Sequence, residues 1–192
     1  MALNNIQKIA GILIIVLLNA SLSYAEEGRK TPSRDGVLSA GPYYNPISKS
    51  YFELVRMQTG SGHARWRNVN ASAQKRFFKN VQGHLATVKD LATHQFILRH
   101  FISPEPFWIG LQYFCNSGAL KWVDGTDASQ SKFSAWATKW ARRNDITCST
   151  QRIEYMPISY TAKTPTKSLR WQATGPEKGY VYYLVEYPTG RK

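Results

Sequence analysis

The clearest pattern of apolar and polar positions runs over residues 107–126. Residues 107–111, Phe-Trp-Ile-Gly-Leu, are continuously apolar with Pro104 and Pro106 just upstream, which predicts a short strand buried on both faces. Asn116, Ser117 and Gly118 are turn residues, because Asn and Gly tolerate the positive φ of a tight reversal. Residues 120–123 then read as the returning strand, which stops at the turn pair Asp124 and Gly125. Trp108 and Trp122, on neighbouring strands, are expected to bury a large apolar area at the centre of the fold.

Two helices are predicted upstream of this hairpin. Val69, Ala73, Phe77 and Val81 recur every four residues, with Asn70 or Ser72 as the cap and Lys75, Arg76 and Lys79 facing outward. The second helix starts at Asp90 by capping, buries Phe96, Ile97, Phe101 and Ile102, and ends before Pro104. Residues 51–57 alternate as a strand and residues 59–62 form a glycine-rich loop. After Thr126 the pattern becomes irregular, then strand-like over 146–160 and 169–187, with 180–187 the clearest strand. Residues 160–168 between them are polar and carry lysines, and no internal repeat is visible.

The two ends differ from this body. Residues 1–25 combine Lys8, an apolar stretch over 9–18 and the small residues Ser23 and Ala25, which predicts an export signal cleaved before Glu26. The alternative is an uncleaved N-terminal anchor, although the apolar stretch is short for a membrane span. Residues 26–41 are polar with scattered Gly and Pro and are expected to form a flexible leader, leaving 42–192 as a single domain. No second apolar stretch of spanning length follows, so the exported form is expected to lack a transmembrane segment and to be secreted or periplasmic.

Charge changes the picture of partners. The chain carries 25 Lys+Arg against 12 Asp+Glu, a formal net charge of +13, and only one lysine lies in the signal. Such a balance favours polyanions: nucleic acid, anionic membranes, or sulfated and phosphorylated glycans. Export makes specific nucleic-acid binding the least expected of these. The alternative is that the charge serves solubility only.

Candidate chemistry is sparse. His94 and His100 have no partner cluster at ligand spacing and are expected to be exposed or at the core edge. The sequon Asn70-Ala71-Ser72 bears on a eukaryotic secretory route alone. Cys115 and Cys148 are the only cysteines, and either a bridge between them or two separate thiols fits an exported chain. No serine-hydrolase elbow, zinc-protease motif or phosphate loop occurs, so no catalytic residue is assigned and the chain is read as a non-enzyme.

The wording of several segments is more specific than their periodicity. Trp108-Ile109-Gly110-Leu111 followed by Trp122-Val123-Asp124-Gly125 resembles the central hairpin of the C-type lectin-like domain. Asn45-Pro46 with Tyr51-Phe52-Glu53-Leu54-Val55 resembles its first strand, Gly83-His84-Leu85-Ala86-Thr87-Val88 the segment between its helices, and Tyr183-Leu184-Val185-Glu186-Tyr187 its closing strand. The resemblance spans residues 43–188 and implies an α+β fold with two helices, small antiparallel sheets and a long loop region that carries ligand contacts. The sparse cysteines and the wording of the first strand look like bacterial, secreted members. Nothing matches the family's long bridge from first helix to closing strand. Cys148 lies near its loop cysteine, whose usual partner after Trp171 is absent.

The family's sugar site holds calcium through a Q/E-P-D/N loop, a following Glu and a W-N-D strand. Here the loop reads Ala137-Thr138-Lys139-Trp140, Asn144 and Asp145 are the stand-ins, Glu154 matches the Glu, and the strand reads Trp171-Gln172-Ala173. Calcium needs about six to eight oxygens, so the missing carboxylate argues for no resident metal and leaves calcium as a weak option. A larger relative of the fold, the formylglycine-generating oxidase, is catalytic, but its paired active-site cysteines are missing here. Two readings follow. In the first, Trp136, Trp140, Tyr160 and Trp171 offer flat faces to sugar rings and Asn144 and Asp145 bind hydroxyls of a glycan or glycoprotein surface, anionic glycans included, with Glu154 and Gln172 as further candidate ligand contacts; the alternative for Trp136 and Trp140 is burial in the core. In the second, Arg142, Arg143, Lys163, Lys167 and Arg170 meet a polyanion or a host or cell-surface protein, as in an adhesin or secreted effector.

Overall fold

The computed structural model describes residues 36–58, 63–137, 148, 153–162 and 168–192. In chain order these form β1 (Gly36–Asn45), β2 (Ser50–Met57), β3 (Ala64–Arg65), α1 (Trp66–Gln74), β4 (Phe77–Phe78), β5 (Val81–Gln82), β6 (His84–Leu85) and α2 (Leu91–His100). Then come β7 (Phe107–Phe114), β8 (Ala119–Trp122), a single 3-10 turn (Ala128–Gln130), β9 (Tyr155–Tyr160), β10 (Trp171–Ala173), β11 (Gly179–Tyr180) and β12 (Tyr182–Tyr187). The result is an α+β fold with two helices, as the resemblance implies; its sheets, expected to be small and antiparallel, include a mixed main sheet.

The main sheet has the order β1-β2-β12-β7-β9-β10, with β6 on β12 and β8 on β7. Its two central strands, β12 and β7, pair in parallel, and the other pairs are antiparallel. Parallel strands are found where both faces are covered, and the apolar run of β7 meets that need. Phe107, Ile109 and Leu111 face the layer that contains Ile97 of α2, whereas Trp108 faces the layer that contains Trp66, Val69 and Ala73 of α1. Trp108 and Trp122 are both core residues, but they serve opposite layers: Trp108 packs on Tyr180 and Trp122 on Trp171. The alternation of a strand accounts for the split.

Both tryptophans of the α1 layer are tied to backbone. Trp108 Nε1 donates to the Ala64 carbonyl at 2.8 Å and Trp66 Nε1 to the Ile109 carbonyl at 2.7 Å. Gly110 lies between them, where β6 runs close: its amide donates to the Ala86 carbonyl at 2.9 Å, and a Cβ there would stand 2.5 Å from the Leu85 carbonyl oxygen. The hairpin turn follows the sequence, with Gly118 at φ +60° and Gly125 at φ +86°. Asp124 accepts from the amide and hydroxyl of Thr126 and pairs with Lys89; burial opposes its charged form, but these bonds outweigh it and lower its pKa.

Several expectations are corrected. The flexible leader does not extend to Gly41, because β1 begins at Gly36 and pairs along β2. Helix α1 stops at Gln74 rather than continuing through Phe77 and Val81, and its N-cap is Arg65 without a side-chain bond, not Asn70 or Ser72. Lys79 and Asn80 both take positive φ, 49° and 61°, which is the geometry of a two-residue hairpin turn and converts the end of the apparent helix into β4 and β5. Phe77 is consequently exposed. Arg76 does not face outward but is buried, with Nε on the Glu53 carboxylate, which also accepts from Tyr187 Oη at 2.5 Å. Burial alone would lower the Arg76 pKa, but the bond and charge of Glu53 prevail and raise it. In α2 the cap is as expected, Asp90 accepting from the Thr93 amide at 2.7 Å, but Ile102 lies beyond the helix and is 71% exposed.

Among the described residues no helix is long and apolar enough to cross a membrane. Substituting Gly110→Ala forces a methyl into backbone and is expected to cost about 1–3 kcal/mol. Trp108→Ala removes a large buried ring and is expected to cost about 3–5 kcal/mol. Urea unfolding measures both, and a midpoint unchanged in either variant would remove the hairpin from the centre of the fold.

Candidate functional site

The loop that follows the hairpin returns to the sheet at β10. Trp171 donates its amide to the Ala135 carbonyl at 2.7 Å and accepts from the Ala137 amide at 2.9 Å, so residues 135–137 are stitched alongside β10 as an added parallel bridge. This arrangement places four aromatic rings together. Trp122, Phe133 and Trp136 meet Trp171 edge-on at centroid distances of 5.7, 5.6 and 5.5 Å, the geometry that quadrupoles favour.

Trp171 is therefore a hub and only 2% exposed, while Tyr160, its partner across β9, is fully buried. Neither can offer a face to a sugar ring, which corrects that part of the sequence reading. Trp136 is half-buried against Trp171, and Arg170 is exposed beside it with its amide on Thr161 Oγ1 at 3.0 Å. Trp140, Arg142, Arg143, Asn144 and Asp145, together with Lys163 and Lys167, lie outside the described residues.

Glu154 is exposed just before β9, at the opposite end of that strand from Tyr160. Six residues of extended chain separate the two by about 20 Å, so Glu154 does not join Trp171 and Arg170 in one site. It lines instead a cleft of about 360 Å³ with Arg65, Arg67, Asn68, Tyr155 and Glu177. Cys115 and Cys148 form a disulfide across 33 residues, with Cα atoms 5.9 Å apart, tying the end of the hairpin strand to the loop. Closing a loop of that length contributes about 3–4 kcal/mol in the chain-entropy account.

His94 also belongs to this region, which its sequence context did not reveal. Expected at the core edge or in solvent, it is 2% exposed, and its Nδ1 lies 2.7 Å from Tyr160 Oη. Its burial was signalled by its spacing from Ile97 and Phe101, which marks the buried face of α2. Burial raises the Tyr160 pKa, so its hydroxyl keeps its proton. Trp171 Nε1 sits close to the same hydroxyl without completing an aligned bond, and among the described residues His94 Nε2 has no hydrogen-bond partner. Phe133 covers the imidazole at 5.4 Å.

The family profile described as the lectin C-type domain matches residues 66–174, more than half of the chain. The chain belongs to the C-type lectin domain family. Solved C-type lectins share the fold: the mouse scavenger receptor C-type lectin carbohydrate-recognition domain superposes with a TM-score of 0.55 at 13% identity, over 80% of this chain and 100% of its own. CEL-I from Cucumaria echinata gives 0.51 at 16% identity, over 82% and 97%. Human lithostathine gives 0.51 at 14% identity, over 88% and 97%. No curated protein matches the chain in sequence.

Within this C-type lectin domain, the strand that reads Asn-Asp in the family pattern has Gln172 and Ala173. Gln172 Nε2 donates to Ser159 Oγ and Tyr180 Oη, both at 3.2 Å, and the Ala173 side chain supplies no oxygen. Among the described residues no three His, Cys, Asp or Glu side chains converge.

The buried His94 gives a pH prediction. Burial, reinforced by the positive charge of Arg170, lowers its pKa from 6.5 to about 4. Between those values the unfolded chain binds a proton that the folded one refuses, so stability that is complete above pH 6.5 is lost as pH falls toward 4. A shift of that size corresponds to about 3 kcal/mol. Melting followed from pH 7 to pH 4 should show a shallower decline in His94→Gln than in the parent, and equal slopes would mean that His94 does not titrate there.

Proposed function

We propose that this chain is an exported, non-enzymatic binding protein that uses its C-type lectin domain to recognise carbohydrate, with anionic glycans as the preferred class and without a complete calcium site. The observation that carries this reading is the inward placement of Tyr160 and Trp171 beside the exposed Arg170 in a chain of net charge +13. With two of the four candidate platforms committed to the core, basic side chains rather than ring faces supply the affinity. Arginine forks match sulfate, phosphate and carboxylate groups bidentately. Gln172 and Ala173, at the family's calcium-ligand positions, support the calcium-independent part of the reading: one is a hydrogen-bond donor inside the sheet, the other has no ligand atom. The sparse cysteines and the leader pattern favour a bacterial, secreted setting. An adhesin-like contact with an acidic protein surface would use the same basic groups.

A glycan array with and without calcium tests the proposal. Sulfated or carboxylated glycans should be retained in EDTA and lost as salt rises from 0.1 to 1 M, where the screening length drops from about 10 to about 3 Å. Arg170→Ala combined with Arg142→Ala and Arg143→Ala should abolish that retention, and EDTA should leave the melting temperature unchanged. Calcium-dependent retention, or retention that ignores salt, would refute it. Capture of acidic proteins with no charged glycan bound would favour the protein-partner reading.

A further inference from the structure

Three segments distant in sequence meet where β12 ends. Tyr187 pairs with Tyr51 near the start of β2, so the β1–β2 turn at 46–49 lies beside the residues that follow β12. Lys49, the last residue of that turn, accepts at its carbonyl from the Gly190 amide at 2.9 Å. The β4–β5 hairpin joins them through Tyr51. Phe78 packs on Tyr51 at 4.9 Å and on Tyr187 at 5.7 Å, while Lys79 at the hairpin turn donates to Tyr51 Oη at 2.9 Å and lies over the ring at 4.8 Å.

Each hairpin tip exposes one large apolar side chain and one lysine. Ile47, 65% exposed, accompanies Lys49, and Phe77, 47% exposed, accompanies Lys79. Arg191 and Lys192 follow Gly190 and are exposed as well. Among the described residues none of these four cations is in a salt bridge, and segments 46–49, 77–82 and 188–192 contain no acidic residue. The two carboxylates beneath are buried and engaged, Glu53 by Arg76 and Tyr187, and Glu186 by Ser50 and by the amide and hydroxyl of Thr87. Outside the described residues the chain after position 25 has four acidic residues, Glu26, Glu27, Asp35 and Asp145, against nine lysines and arginines, so it holds no acidic excess to neutralise this end.

The pairing of cations with apolar side chains selects the partner. A soluble polyanion answers the lysines but offers nothing to bury Ile47 and Phe77. A bilayer that carries anionic lipid answers both, because its interface takes apolar side chains at the acyl boundary and attracts each Lys or Arg near its surface. Lysine suits that role as a compact hydrated charge, whereas arginine is a fork shaped to a single phosphate or sulfate.

We propose that the two hairpin tips and the residues after β12 form a membrane-facing surface, which docks the domain on bilayers rich in anionic lipid. Ile47 and Phe77 enter the interface, and Lys49, Lys79, Arg191 and Lys192 meet the headgroups. The docked domain keeps its other end free. Tyr182, at the start of β12, is level with Phe107 and Tyr160, beside which Trp171 and Arg170 lie. The six residues of β12 set that end about 17 Å from Tyr187 along the strand. The surface shares no residue with the anionic-glycan reading and stands or falls apart from it.

The test attaches an environment-sensitive fluorophore to the full chain at Ile47→Cys, with the exposed Ser168→Cys on the loop side as control; the native cysteines are occupied by their disulfide. Each is titrated with phosphatidylcholine vesicles with and without phosphatidylglycerol. The label at position 47 should shift to the blue only with phosphatidylglycerol present, with an affinity that falls as salt rises, and the label at 168 should not move. Lys49→Gln combined with Lys79→Gln should weaken binding about 25-fold, at about fivefold for each charge removed near the surface. Phe77→Ser should weaken it about tenfold with every charge kept. Melting temperatures identify a variant whose loss is one of folding, and the parent's dependence on lipid and salt then decides alone. An equal shift with neutral vesicles, with soluble dextran sulfate or at position 168 would overturn the proposal, as would an affinity untouched in both variants. Arg142→Ala, Arg143→Ala and Arg170→Ala together should leave the vesicle shift in place; its loss there would overturn the proposal and assign the membrane to the loop side.

Discussion

Everything in this domain is arranged around the close approach of two backbones at Gly110. Strands β7 and β12 run in parallel only for Phe107 and Trp108, and beyond that point Leu85 and Ala86 are inserted beside β7. The insertion is possible because Gly110 has no side chain: a Cβ would lie 2.5 Å from one carbonyl oxygen and 3.1 Å from the next. In return the Gly110 amide bonds Ala86 and its carbonyl accepts from Val123, so the hairpin, the segment between the helices and the closing strand share one crossing. The flanking residues then divide by alternation, Ile109 and Leu111 to the α2 side and Trp108 to the α1 side.

The crossing also explains how the domain holds its first helix without the long bridge found in its family. Ala73 and Val185 belong to the same apolar layer, and Gly83 packs so tightly between them that an added Cβ would meet both the Val185 side chain and the Ala73 carbonyl. Next to this contact Arg76, just past α1, is bonded to Glu53 of β2, which Tyr187 of β12 also reaches. Burial of this kind is costly unless every charge finds its partner, and here the guanidinium, carboxylate and phenol satisfy one another. The burial and the adjacent carboxylate together raise the Tyr187 pKa, which keeps its hydroxyl a donor. A single disulfide is left to restrain the loop side, between Cys115 and Cys148.

On that loop side the described residues build a packed aromatic floor around Trp171. Trp171 is clasped by backbone bonds to residues 135 and 137 and by three edge-on aromatics, and Tyr160 and His94 close the layer beneath it. Such a base suits binding loops, which need a fixed frame from which to vary. It also keeps the exposed Arg170, at one end of β9, apart from the cleft that Glu154 lines at the other.

The sequence by itself determined the hairpin, the Asp90 cap, the closing strand and the family, because each depends on residues close in the chain: an apolar run, a turn glycine, a carboxylate three residues before an amide. It also placed the strong positive charge, which no folding can alter. What it could not decide was which way a side chain faces once distant segments meet. Phe77 matched a helix by spacing, yet Lys79 and Asn80 turned the chain into a hairpin and left the ring outside. Arg76 looked like surface charge until Glu53, 23 residues away, drew it inward. Tyr160 and Trp171 looked like ring faces for a sugar until His94 and the segment around Ala135 covered them. Local pattern fixes which element forms, whereas burial of a ring or a charge depends on partners that only the tertiary structure brings into contact.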